Sequence, residues 1–119
     1  MTIQNKEIKN KLRAAILQGH ISKESDGELA AAIHSLLPHT EHAFVVRSIP
    51  EQGEDIYLIL IGTKQIAKIE IQRHPAKGDT PSLEVIDLSE HLNGSISKRE
   101  RQLIDIGIDI LSELNNANS

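Results

Sequence analysis

The sequence predicts an α+β domain: two N-terminal helices, a four-stranded, mainly antiparallel meander and a C-terminal helix packed on the sheet. Three observations carry that prediction. Apolar residues recur at helical spacing in residues 6–18, 26–37 and 97–115; residues 42–88 hold short apolar or alternating runs separated by turn residues; and helices and strands are grouped along the chain instead of alternating. With 119 residues, 39% of them apolar and 25% charged, the chain can bury one core and is short for two, so residues 1–119 are read as a single domain.

In the first helix Ile8, Leu12, Ala15 and Ile16 form one stripe, and Gly19 is a natural stop. Ser25 and Glu28 stand at capping-box spacing before the second helix, whose buried face is Leu29, Ile33, Leu36 and Leu37 and which Pro38 ends. Residues 42–49 read as a first strand, followed by a turn at Pro50 to Gly53. The second strand, residues 56–61, is apolar on both faces and is expected inside the sheet, or with one face on a second subunit. The third, residues 65–72, alternates as a half-exposed antiparallel strand does. A loop over residues 73–82 leads to a shorter edge strand, residues 83–88. Ser97 and Glu100 form a second capping box ahead of a helix with a broad apolar face, and Gly107 on that face predicts close packing against a neighbour. Residues 115–119 read as a frayed tail.

Composition excludes several function classes. The chain has no cysteine, so disulfides, thiolate metal sites and Cys nucleophiles are absent. A formal charge of −4 opposes general attraction to nucleic acid, and Phe44 and Tyr57, the two aromatic residues, cannot form a platform for stacked bases. The core must be aliphatic, with eighteen isoleucines to build it. The longest apolar run, Ile56 to Ile61, is far too short to cross a bilayer, and the first thirteen residues carry no apolar export segment, so a cytoplasmic location is expected.

Four groups of residues invite chemical readings. His34, His39 and His42, with Glu41 between the last two, are zinc-compatible ligand types but lack a second pair at defined spacing. Asp55, Lys68 and Glu70 loosely match the acid and lysine set of a metal-dependent nuclease or hydrolase, with acid and lysine in reversed order. Lys98, Arg99 and Arg101 crowd a helix start, where the backbone dipole disfavours cations, an arrangement suited to an anion or an acidic partner, with His74 and Lys77 as neighbours. Glu51, Glu54 and Asp55 form an acidic end of the sheet that would meet a basic partner.

The stretch from Leu12 to Ile33 resembles the first two helices of winged-helix transcription regulators of the GntR type. Pro38 to Glu41 and a strand then replace the expected basic recognition helix, so no function is carried over. The leading expectation is a small non-enzymatic protein-binding module, such as a toxin-neutralising immunity protein or a partner-specific chaperone. The partner-binding residues would be Glu51, Glu54, Asp55, Lys98, Arg99 and Arg101. No catalytic residue, metal or cofactor is assigned. The expected partner is another protein, of basic character, with self-association into a homodimer suggested by the doubly apolar strand and by Ile106 and Ile110 beside the main helical stripe; neither membrane nor nucleic acid is expected. The alternatives are the Asp55, Lys68 and Glu70 hydrolase and anion or nucleic-acid binding at the start of the last helix.

Overall fold

The computed structural model describes residues 2–76 and 78–117. Helix α1 (Thr2–Gln18) is followed by strand β1 (His20–Ser22), helix α2 (Glu28–Leu36), and strands β2 (His42–Glu51), β3 (Glu54–Leu60), β4 (Gln65–Gln72) and β5 (Ser82–Asp87). A short helix α3 (Leu88–Asn93) and a long helix α4 (Lys98–Ala117) complete the chain. The strands form one antiparallel sheet in chain order, β1-β2-β3-β4-β5. The α+β meander with a C-terminal helix is thus what the chain builds, with five strands in place of four and one extra short helix.

Strand register assigns two faces. Ile56, Leu58 and Leu60 stand opposite Glu70, Lys68 and Ile66, whereas Asp55, Tyr57 and Ile59 stand opposite Ile71, Ile69 and Ala67. Successive side chains alternate, so these two sets point to opposite sides. On the first side Phe44, Leu58, Leu60 and Ile66 meet Leu12 and Ile16 of α1, Leu88 of α3 and the apolar stripe of α4. On the second, Ala43, Ile59 and Ile69 meet Ala32 and Ile33 of α2. Strand β3 is therefore central and covered by helices on both faces. Ile106 and Ile110, the spare positions that suggested a dimer, are 7% and 4% exposed and belong to this chain's own core.

The departures from expectation have local causes. Three residues are too few to show a period, so His20 to Ser22 read as a linker; pairing with His42 to Phe44 makes them a strand. Helix α2 starts at Glu28, after Gly27 at φ 109°, and no side chain caps it. The Ser25 hydroxyl, expected as the cap, instead accepts from the Ser22 amide at 2.9 Å. Half of the second capping box forms, because Ser97 Oγ accepts from the Glu100 amide at 3.0 Å while the Glu100 carboxylate goes to His91. Leu88 ends no strand; it is buried at the start of α3. Helix α4 continues to Ala117 where fraying was expected from residue 115, and residues 118–119 of that tail lie outside the described residues.

Two glycines mark where elements meet at backbone range. A Cβ on Gly107 would stand 2.8 Å from Leu60 Cδ2, and one on Gly19 would stand 2.8 Å from the Val45 carbonyl oxygen. The close helical approach expected at Gly107 is what the structure shows. Gly19→Ala is expected to cost about 1–3 kcal/mol, since a backbone oxygen must move. Gly107→Ala should cost less, because the gain of about 1 kcal/mol in helix propensity offsets part of the crowding at a movable side-chain end. Urea denaturation of both variants checks the order.

Candidate functional site

Two of the concave regions lie on opposite faces of the sheet. The larger, about 540 Å³, lies beside α2, whose residues Glu28, Ala31 and Ser35 form one wall. Ile71 and Gln72 at the end of β4 form the floor, and Pro75, Asp79, Thr80 and Pro81 the far wall. Its origin is geometric. A nine-residue helix is about 13 Å long and about 10 Å across, whereas five strands span roughly 20 Å, so α2 cannot cover its face of the sheet. The small side chains of Ala31 and Ser35 keep the groove open on the helix side. Val85 of β5, paired with Ala67 on this same face, is 44% exposed. The two charged residues among the groove's described lining, Glu28 and Asp79, are both acidic.

The second region, a cleft of about 360 Å³, lies on the opposite face at the start of α4. It is lined by Val46 and Arg47 of β2, Ser95 and Ser97 before the helix, and Arg99, Glu100 and Leu103. A β-bulge between Val45 and Arg47 sets this arrangement, because Arg47 pairs with Leu58 and so lies on the α4 side. Regular alternation from Phe44 would have sent it to the α2 side. Glu100 is 5% exposed; its Oε2 accepts from His91 Nε2 at 3.2 Å, and its Oε1 has no hydrogen-bond partner among the described residues. Arg47 and Arg99 have no ion-pair partner among those residues.

A third feature joins two histidines at the β1 edge. His20 Nε2 and His42 Nδ1 are 3.0 Å apart, and the His20 ring stacks on His42 and on Phe44, with centroids 5.2 and 4.9 Å away. Burial first, and the neighbouring His42 second, lower the pKa of His20. On the α2 side, burial raises that of Tyr57, and the negative charges of Asp55 and Glu28 raise it further.

The residues singled out in the sequence are differently disposed. Of the three histidines with ligand character, His34 bonds the Ser22 carbonyl at 2.9 Å, His42 pairs with His20, and His39 is exposed, so they do not converge. No group of three or more His, Asp or Glu side chains among the described residues is placed to hold a metal ion. Lys68 and Glu70 share a face and approach to 3.5 Å, but Asp55 lies on the other face and pairs with Arg73 at 3.0 Å. The sheet itself separates the would-be hydrolase set.

Glu51, Glu54 and Asp55 do gather at one end, around Arg73. Arg73 bonds the Glu51 and Glu54 carbonyls at 2.8 and 3.2 Å as well as Asp55, while Gln72 bonds the Glu54 carboxylate at 3.1 Å. Lys98, Arg99 and Arg101 diverge. Lys98 faces the groove between α1 and α4, Arg99 lines the cleft, and Arg101 donates to the Leu92 carbonyl at 2.7 Å. His74 is exposed, and Lys77 lies outside the described residues. Arg47 and His20 were missed, the first because a bulge is not visible in side-chain alternation, the second because β1 carries no period. Spacing marks Glu100 as a capping residue and carries no sign of its burial against His91.

No family model, curated protein or solved structure matches the chain. No helix among the described residues is long and apolar enough to cross a membrane.

The histidine pair makes stability depend on pH. Because folding lowers the His20 pKa below its ordinary 6.5, the unfolded chain binds the proton more readily. Its contribution is present above pH 6.5 and is lost as the pH falls below that value. Denaturation midpoints of the native chain should drop across this window more than those of His20→Phe, which retains the stack on Phe44. NMR titration should place the His20 pKa below that of a free histidine.

Proposed function

We propose that the chain is a non-enzymatic protein-binding module, of the kind that neutralises a toxin or escorts a specific partner. Its groove between α2 and the loop before β5 takes a peptide segment carrying apolar and basic side chains. The observation that carries this reading is the combination of an open groove, lined by Ala31, Ala32, Leu36, Ile71, Pro75 and Pro81, with Glu28 and Asp79 at its walls. A volume of about 540 Å³ is within the range of ligand sites and admits a few large side chains.

Charge complementarity selects the occupant. The chain is acidic overall, at −4, and the acidic end formed by Glu51, Glu54 and Asp55 adjoins the groove, since Gln72 of the groove floor bonds Glu54. Arg73 neutralises part of that end, which leaves Glu28 and Asp79 as the charges, among the described residues, that line the groove beside a bound segment. Such charges chiefly accelerate encounter and orient the partner, while burial of apolar side chains against Ile71 and Leu36 supplies affinity. Strand β5, whose outer edge pairs with no strand among the described residues, borders the same region and offers backbone groups to an extended partner.

Selection of displayed peptides on the full chain tests the reading. Enriched peptides should combine Leu, Ile or Phe with Lys or Arg. Ala31→Trp, an exposed helix position, should fill the groove and weaken binding at least about tenfold, the usual consequence of losing a central contact. A Glu28→Lys and Asp79→Lys double variant should slow association. Enrichment of acidic peptides, or affinity unchanged by Ala31→Trp, would overturn the proposal.

A further inference from the structure

At the β1 edge of the sheet, two imidazoles meet from positions 22 residues apart in the chain. Strand pairing brings them together: His20 stands opposite Phe44 and Ser22 opposite His42, so the two histidines are diagonal neighbours on one face. Both are half-buried and line a hollow of about 330 Å³, through which water and small ions reach them. The stack of His20 on Phe44 restrains its ring, and a group oriented in advance loses little freedom when it binds. The other described histidines are placed differently. His34 is held by the Ser22 carbonyl and His91 by Glu100, while His39 and His74 are exposed.

The spacing of the pair is close to that of a chelate. His20 Nε2 and His42 Nδ1 are 3.0 Å apart and the ring centroids 5.2 Å. Two imidazoles on one tetrahedral zinc ion, each bonded at about 2.0–2.1 Å, place their nitrogens roughly 3.3 Å and their centroids about 5.2 Å apart. We infer that His20 Nε2 and His42 Nδ1 bind a divalent transition-metal ion, zinc by this geometry, which joins β1 to β2. On binding, the ring that donates in the N–H···N bond moves that proton through water to its own other nitrogen. His20 then carries its proton on Nδ1 and His42 on Nε2, both rings stay neutral, and no net proton is released. Glu24 and Glu41 line the same hollow with Lys23, so two carboxylates against one ammonium leave about one negative charge to attract a cation. Lys23 and Glu41 approach only to 3.9 Å through exposed side chains, a loose pair that leaves the carboxylate free to turn. No third His, Asp or Glu among the described residues completes the set as it stands, so the ion keeps positions open for water, for one of these carboxylates or for a group on a partner. Strand β1 is the sheet edge opposite β5, and the hollow shares no lining residue with the peptide groove, so the two sites stand or fall separately.

Isothermal titration of the full chain with zinc chloride and magnesium chloride, near pH 7.5 where histidine is ordinarily neutral, tests the inference. Zinc should bind in a ratio of about one ion per chain, and magnesium, which prefers oxygen ligands, should not bind. In NMR spectra of the same titration the ring signals of His20 and His42 should move while those of His39 and His74 stay in place. His20→Phe, which keeps the stack on Phe44, and His42→Gln should each weaken zinc binding at least about tenfold, since even outer partners of a metal ligand are worth that much. His39→Ala should bind zinc as the native chain does. Saturating zinc should raise the denaturation midpoint of the native chain and leave that of His20→Phe unchanged, because an ion held by the folded state stabilises it. Absence of zinc binding at millimolar concentration, equal affinity for magnesium, full zinc affinity in His20→Phe, or ring shifts confined to His39 or His74 would each overturn the inference. The ring shifts are read on the native chain and decide the matter even where a variant fails to fold.

Discussion

The fold depends on the burial of one strand on both sides. Strand β3 carries Leu58 and Leu60 toward one face and Tyr57 and Ile59 toward the other, and a chain with this pattern is stable only if helices cover both. At about 25 cal/mol per Å² of apolar surface removed from water, leaving either face open would forfeit several kcal/mol from a domain of marginal stability. Meander connections then place β2 and β4 on either side of β3, and the remaining elements distribute themselves around that centre. With eighteen isoleucines and few aromatic residues, the packing relies on branched aliphatic side chains and on close approach at Gly107, where α4 comes down onto Leu60.

The covering is unequal, and both concave regions follow from it. Helices α1, α3 and α4 share one face, whereas α2, of nine residues, serves the other alone. The uncovered flank beside α2 becomes the apolar groove. On the fuller face the start of α4 falls near the middle of the sheet, against the β2 bulge, so that Arg47 of the strand and Arg99 of the helix line one cleft. A shift in strand register of a single residue thereby decides which side of the molecule receives a charge.

Charge placement also separates surfaces that the sequence had treated as equivalent. Arg73 draws the hairpin carbonyls and Asp55 together and so consolidates the end of the sheet while muting its acidity. Arg101 is taken up by the Leu92 carbonyl between α3 and α4, whereas Arg99, two residues earlier, remains directed to the cleft. Neighbouring positions on a helix point about 100° apart, which is why a run of three cations in the sequence becomes three different environments.

Much of the architecture was legible because it is written in periodicity. The stripes of α1, α2 and α4, the alternation of β4, the two-sided apolar run of β3 and the edge position of β5 all depend on local spacing, and spacing survives in a single chain. The acidic cluster at Glu51, Glu54 and Asp55 was legible for the same reason, since a hairpin brings its own ends together. Strand β1, helix α3, the Val45 to Arg47 bulge, the His20–His42 pair and the burial of Glu100 against His91 were decided by tertiary structure. Each depends on a contact between segments distant in sequence or on an irregularity shorter than a period, and neither leaves a repeating trace. The α+β class was therefore set by local pattern, while the groove, the cleft and the separation of Asp55 from Lys68 and Glu70 came from how the faces were apportioned, because one side of a sheet cannot reach the other.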